Sequence, residues 1–428
     1  MTNPVYQPQD GAIDDLSIVL INGQIVNIKN ILIELSYFED LFSFSISGYV
    51  TIRDANGLIE ALKLTGQEDI KINFGKVSGG VNNVSITAKL YKIDNRVPEL
   101  NLTSEYYRLN FCSEDLLLSE QLKISKSYKG MIISDIVDDI VTQQLKAPKK
   151  LYVLENSSGL YDFVVPRLKP FEAISWLSTY ALPEQYIGSD DVAADMLFWE
   201  SKNGFNFASI RSMWESPIYN TYKYQAKNID IDFTEQVNTI LRYDFVNNFD
   251  ILSQINSGAY ASKIWTINPL TKQWRVHTYD YANSTGISGE KGVLNQKKNR
   301  FNKTLNEMTD SSFKVLVSNF DQKTSPYIKE SGDRINSVAN DIRAEKYIPK
   351  RSAQLALLHQ TVLKIAIPGD PGVTAGRVVN LDLPSRIGKD QNDTSYSGKY
   401  LVTAVRHIIQ STGVYQTILE VAKESIKE

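Results

Sequence analysis

The chain has 428 residues, of which 42% are hydrophobic and 22% charged, and a formal net charge of -3. The length exceeds what one core usually organises, so two to four compact units are expected, and the composition excludes a largely disordered chain. Without a basic excess, tight nucleic-acid binding is not the expected task.

Met1–Asp15 is polar and lacks an apolar core, so no secretory signal is expected, and no apolar run of about 18 residues suggests membrane insertion. Cys112 is the single cysteine, which excludes an intrachain disulfide and a multi-cysteine zinc site and fits folding in a reducing cytoplasm. His277, His359 and His407 are the three histidines.

The first 110 or so residues read as antiparallel β-structure. Phe42, Phe44, Ile46, Gly48, Val50 and Ile52 alternate with polar residues, the pattern of a strand with one buried face. Ile70, Ile72 and Phe74 repeat it. After a turn at Ser78, Gly79 and Gly80, Val84, Ile86, Ala88 and Leu90 do so again, and Tyr107, Leu109 and Phe111 form a further short strand. Closely spaced strands suggest a barrel or sandwich. Between Asp54 and Gln67, Leu58, Ile59 and Leu62 fall on one face of a short helix, outside any strand pattern.

Residues 118–215 read as an α+β unit. Ile133, Ile136, Val137, Ile140, Val141 and Leu145 lie at helical spacing, ended by Ala147-Pro148. Pro170 opens a second helix, and Asn203-Gly204 joins a hairpin of Leu197–Trp199 with Phe205–Ile210. Residues 216–300 are polar, aromatic and strand-like, with Trp265, Ile267, Trp274 and Val276 flanking a turn at Pro269–Gln273. Residues 287–345 read as connector with some helix near Arg334–Arg343, and 361–423 return to strands. Thr65–Ile72 and Ala375–Leu381 share a layout, a glycine turn opening a strand, so a duplicated barrel is one reading.

Catalytic patterns are few. There is no glycine-rich phosphate loop, no H-E-x-x-H and no G-x-S-x-G. The acid pairs Asp14-Asp15, Glu68-Asp69, Asp138-Asp139 and Asp190-Asp191 read as solvated surface rather than glycosidase carboxylates. His407 reads as a strand-surface or hydrogen-bonded residue. Tyr37, Phe38, Phe42 and Phe44 read as core rather than a ligand platform. Tyr106-Tyr107 and Tyr279-Asp280-Tyr281 lack the basic surround of a base-stacking site.

Several segments together resemble the baseplate hub proteins of contractile-tailed phages. They are Tyr37–Asp54, Leu64–Glu68, Ser125–Gly130, Leu168–Leu177, Ile367–Asp370, Ala375-Gly376, Ser397–Thr403 and Arg406-His407. They follow the family's order from about residue 15 to 423, with the poorest match at 287–345. The resemblance implies a mainly β fold with an α+β insertion: two tail-tube-like β-barrels plus an inserted α/β unit. The same layout belongs to the hub part of spike proteins in type VI secretion and related injection machines.

On that reading the chain divides into a first barrel (1–117), an α+β insertion (118–215), a strand-rich connector that is partly second barrel (216–345) and a second barrel (346–428). Three copies with two barrels each make a homotrimeric ring of pseudo-sixfold symmetry, a symmetry adaptor between a threefold central spike and a sixfold tail tube or tube-initiator protein. Baseplate wedge proteins are further implied partners, and the genome or a tape-measure protein is the implied passenger of the axial channel. The expected location is the virion tail baseplate, assembled in the host cytoplasm. No cofactor, metal or catalytic residue is expected. Leu58, Ile59, Leu62 and Leu64 are the subunit-interface candidates, with a plug for the chain's own barrel as the competing reading. A tail-associated cell-wall hydrolase and a host-glycan-binding tail module are the alternatives.

Overall fold

The computed structural model describes residues 7–77, 83–99, 104–184, 193–224, 236–248, 250–269, 272–281, 298, 300–317, 344–385, 387 and 392–424. The N-terminal strands are β1 (Gly11–Val19), β2 (Ile25–Asn27), β3 (Leu32–Asp40), β4 (Ser47–Asp54), β5 (Asp69–Lys76), β6 (Val84–Pro98) and β7 (Glu105–Cys112). Seven strands follow: β8 (Ile124–Met131), β9 (Leu151–Val153), β10 (Ser157–Ser158), β11 (Tyr161–Leu168), β12 (Leu182–Pro183), β13 (Met196–Ser201) and β14 (Gly204–Ser209). The C-terminal half holds β15 (Ile218–Lys223), β16 (Arg242–Asn248), β17 (Ala261–Asn268), β18 (Gln273–Asp280), β19 (Phe313–Val317), β20 (Thr361–Pro368), β21 (Val378–Asp382), β22 (Gly398–Gln410) and β23 (Tyr415–Lys423).

The fold is mainly β, organised by one 13-stranded, largely antiparallel sheet. Two runs of six strands make up most of it. The first reads β3-β4-β7-β6-β5-β1 across the sheet and the second β16-β20-β23-β22-β21-β15. With the strands of each run counted in chain order, both read second, third, sixth, fifth, fourth, first. Corresponding neighbours are antiparallel in both runs except at the end, where β1–β5 is antiparallel and β15–β21 parallel. β22 joins the runs by pairing with β3, from Ala404 opposite Asp40 to Gln410 opposite Glu34.

Period-two alternation explains the cores. Ile70, Ile72 and Phe74 of β5 meet Leu35, Tyr37, Val50, Leu109 and Phe111 in a first cluster, all buried. Leu363, Ile365, Leu381, Tyr400, Val402, Leu419 and Val421 form a comparable cluster in the second run. Residues between β7 and β15 build a separate core in which Ile133, Ile136, Val137, Ile140, Val141 and Leu145 are all buried, as their spacing predicts. Pro170 begins the helix Pro170–Ser178, and β13 and β14 pair through the Asn203-Gly204 turn.

Some expectations need correction. The alternation from Phe42 to Ile52 is not one strand: β4 begins at Ser47, and 41–46 links β3 to β4. Phe44 leaves the first core for the middle one, 5.8 Å from Phe171, and Phe42 stays 41% exposed. Alternation there reflects two destinations for one side of the chain. The 216–345 region also holds a small sheet of β17, β18 and β19, and the helix Ala344–Leu358 follows, which strand-seeking reasoning misses. The expected turn at Ser78–Gly80, part of that at Pro269–Gln273 and the helix at Arg334–Arg343 lie outside the described residues.

Candidate assembly surfaces

The link from β4 to β5 carries the interface candidates. Two carboxylates shape it. Asp54, the last residue of β4, accepts hydrogen bonds from the backbone N–H of Asn56 (2.8 Å) and Leu58 and from the Tyr107 hydroxyl (3.1 Å). That capping starts the helix Leu58–Leu62 after Gly57, whose φ of 68° suits glycine. At the far end Glu68 accepts from the backbone N–H of Thr65 (2.8 Å), Gly66 (2.8 Å) and Gln67 (3.1 Å). Burial alone would raise the Glu68 pKa, but these donors hold it below the ordinary value. Leu58, Ile59 and Leu64 are half-buried and pack against the first core. Leu62 is half-buried but does not join that cluster.

Glu39 organises the junction. It points inward from β3 with 1% exposure. One oxygen accepts from the Tyr37 hydroxyl (2.9 Å) and the backbone N–H of Lys202 (2.7 Å) in the β13–β14 turn. The other accepts from the N–H of Ala375 (3.1 Å), just before β21. One side chain thus ties together the first run, the middle unit and the second run. Burial lifts its pKa to about 7 in spite of these donors. Nearby, Glu200 accepts from the Ile46 N–H (3.1 Å) and pairs with Lys149, holding the β3–β4 link to the middle unit.

The sheet face turned away from both cores carries several ion pairs. Along β16-β20-β23-β22-β3-β4-β7-β6 it carries Arg242 with Asp244 (2.8 Å), Lys364 with Glu420 (3.5 Å), Arg406 with Glu34 (3.4 Å) and Lys92 with Asp94 (3.1 Å). Arg108 lies 4.0 Å over the Tyr49 ring.

The residues weighed for chemistry do not converge. His407 is buried, and its Nδ1 lies 2.8 Å from the Tyr415 hydroxyl and 3.1 Å from Thr417 Oγ1. Burial, aided by the Lys202 charge, pushes its pKa down to about 3, so it is a neutral structural residue. Asp139 binds Lys126 and Tyr128, both at 2.7 Å, and Glu68 is committed to its turn. Asp190-Asp191 lies outside the described residues. Tyr107, Tyr279 and Tyr281 are buried, so neither tyrosine group forms an open stacking platform. Among the described residues no group of three or more His, Cys, Asp or Glu is arranged to hold a metal. No described helix is long and apolar enough to cross a membrane.

No protein-family model matches the chain. It is 24% identical over 413 residues to the probable baseplate hub protein gp334 of Vibrio phage KVP40, covering 93% of this chain and 91% of that protein. Its fold matches a tail protein from Neisseria meningitidis MC58 with a TM-score of 0.55 at 12% identity, over 96% of this chain and 97% of that one. It also matches the 43 kDa tail protein of prophage MuSo2 from Shewanella oneidensis with a TM-score of 0.53 at 9% identity, over 96% and 98%. The two solved structures give the chain the fold of these tail proteins, and the sequence relative makes it a homologue of a phage baseplate hub protein, which supports a structural role in the tail baseplate.

Proposed function

We propose that this chain is a baseplate hub subunit whose three copies form a ring, joining a central spike to the tail tube and enclosing the axial channel. The observation that carries the reading is the repeated strand order. Two copies of one six-strand arrangement, joined edge to edge in a single sheet, supply two equivalent units per chain, so three chains present six.

Further details support two tube-like barrels. In the first run Ile28 N–H donates to Leu16 O (2.9 Å), linking β1 to the chain that enters β3. In the second, Lys223 N–H donates to Asn238 O (3.0 Å) and Ile240 N–H to Lys223 O (2.8 Å), linking β15 to the chain that enters β16. Gly66 and Gly376, the glycines of the shared layout, have φ of 86° and 84°. The repeat and the separate middle core support units at 1–117 and 118–215, with β15 and β16 as the part of 216–345 that belongs with 346–428 in the second barrel.

The sheet face that carries the ion pairs suits a channel wall. Leu58, Ile59, Leu62 and Leu64 sit on a link able to reach a neighbouring barrel, with Leu62 the residue least engaged by its own core. Spike, tube or tube-initiator and wedge proteins are the partners, the genome or a tape-measure protein the passenger, and the host cytoplasm the place of assembly. The chain performs no catalysis on this reading. The test is the mass of the purified full chain, alone and with the spike protein of the same particle. Three copies per ring are expected; six copies overturn the two-barrel argument.

A second reading, host-glycan binding, has one observation in its favour. The three-stranded sheet of β17, β18 and β19 exposes Trp265, Trp274 and Phe313 on one face, with the two indoles 5.1 Å apart. Glycan binding by the full chain that is lost in Trp265→Ala with Trp274→Ala would establish it.

A further inference from the structure

The small sheet of β17, β18 and β19 wears its apolar side outward. One face rests on the helix Ala344–Leu358: Tyr279 packs with Ala353 and Leu357, and the Lys314 ammonium donates to Ser352 Oγ (2.7 Å). On that covered face β17 places Ser262, Ile264, Thr266 and Asn268, mostly polar and all buried. The other face carries Trp265, Ile267, Trp274, Val276, Phe313 and Val315, which the cross-strand register sets side by side. All six are exposed, from 37% at Ile267 to 60% at Trp274. The two indoles stand 5.1 Å apart, and Phe313 meets Trp265 edge-on at 5.2 Å. A sheet with one wet face ordinarily keeps its polar residues there. Here the order is reversed, so the outward face is the one built to be covered.

We propose that this face is the docking surface for an amphipathic helix with acidic flanks, carried by another protein. It does not depend on the ring reading. The size fits: three strands about 4.8 Å apart give a platform about 10–15 Å wide, the span of one helix. The helix Ala344–Leu358 already lies on the opposite face, and a second would give the sheet helices on both sides. The flat group of rings suits the apolar stripe of such a helix. Charge selects the acidic kind. The described residues from 261 to 317 hold seven lysines and arginines against three acids, a net of +4, in a chain whose total is -3. Charge also speaks against a second copy as the occupant, because two such faces would set like charges against each other.

The test titrates the full chain with a designed helical peptide of about four turns, leucines on one face and glutamates on the other, and with its lysine counterpart. The glutamate peptide is expected to shift the tryptophan emission and to bind about tenfold or more tightly than the lysine peptide, with an affinity that falls as salt rises. Trp274→Glu with Val315→Glu is expected to abolish binding with the β-sheet signal unchanged. Should that variant not fold, Trp274→Ala, which removes a side chain already open to solvent, is expected to weaken binding about tenfold. Equal binding of the two peptides, or equal binding by the wild type and Trp274→Ala, overturns the proposal. Absence of binding overturns it as well and leaves the face to the chain's own residues 318–343 or to a second copy; self-association that Trp274→Glu abolishes identifies the copy. Binding of phosphatidylserine vesicles or of glycans without binding of the glutamate peptide overturns it in favour of a membrane or a glycan.

Discussion

The two six-strand runs share an order but are finished differently. In the first, β3 and β4 are joined by residues 41–46; in the second, the matching strands β16 and β20 are separated by residues 249–360. The first run's second strand is covered by β22, whereas among the described residues no strand pairs with the outer edge of the second run's. The lesson is that a duplicated arrangement diverges where strands connect and where edges meet neighbours, while the order of pairing, which each core depends on, persists.

The most severe way to break the comparison is to cut the tie between the runs. Glu39→Ala removes the acceptor of three buried donors, Tyr37 Oη, Lys202 N and Ala375 N. A loss of about 4 kcal/mol is expected from orphaned donors and the void, and denaturant unfolding should separate into more than one transition. A single unchanged transition would show that Glu39 does not couple the units.

The matched glycines sharpen it next. Both need a left-handed backbone, but a Cβ on Gly376 would meet Trp199 at 2.6 Å, while one on Gly66 finds nothing closer than 3.8 Å. Gly376→Ala should cost about 3 kcal/mol and Gly66→Ala about 1 kcal/mol. Equal losses in chemical denaturation would mean that backbone strain alone decides both.

The leucine-rich link distinguishes a contact with a neighbour from a plug. Ile59→Asp with Leu62→Asp is expected to block ring formation while the isolated subunit stays folded, since burying such side chains is worth about 1.5–3 kcal/mol each. Because Ile59 already packs on its own core and Leu62 does not, Leu62→Asp alone should weaken assembly with almost no effect on monomer stability. A double variant that cannot fold as a monomer makes the link a plug.

The smallest expected effect is a matter of pH. His407 titrates near 3 when folded, well below its ordinary 6.5, so the folded state binds fewer protons than the unfolded one between these values. Its contribution to stability is present above about 6.5 and is lost as pH falls toward 3, by at most about 1.4 kcal/mol per pH unit. Glu39 and Asp195, both raised to about 7 by burial, act in the opposite sense: their contribution is lost as pH rises from their ordinary values toward 7. Two raised carboxyls outweigh one lowered imidazole, so these groups should make the wild-type curve fall as pH rises between about 4.5 and 6.5, less steeply than it would without His407. His407→Asn should make it tilt toward greater stability in acid; a variant curve parallel to the wild type would remove His407 from the balance.

Much of this was legible in the residues alone. Alternation at Ile70–Phe74 and Val84–Leu90, helical spacing at Ile133–Leu145, Pro170 at a helix start and Asn203-Gly204 at a turn are local signals, and the elements formed where they fall. The whole-length resemblance to hub proteins was likewise carried by ordered turn and strand patterns. What the residues could not disclose depends on contacts remote in the chain. Phe44 alternates in step with β4 yet packs on Phe171, because the middle unit folds back over that link. Glu39 looks like any strand carboxylate until Lys202 and Ala375 arrive from 163 and 336 residues away. The repeated order of pairing emerged only from the tertiary structure, since period two tells each strand which face to bury and nothing about which strand lies beside it.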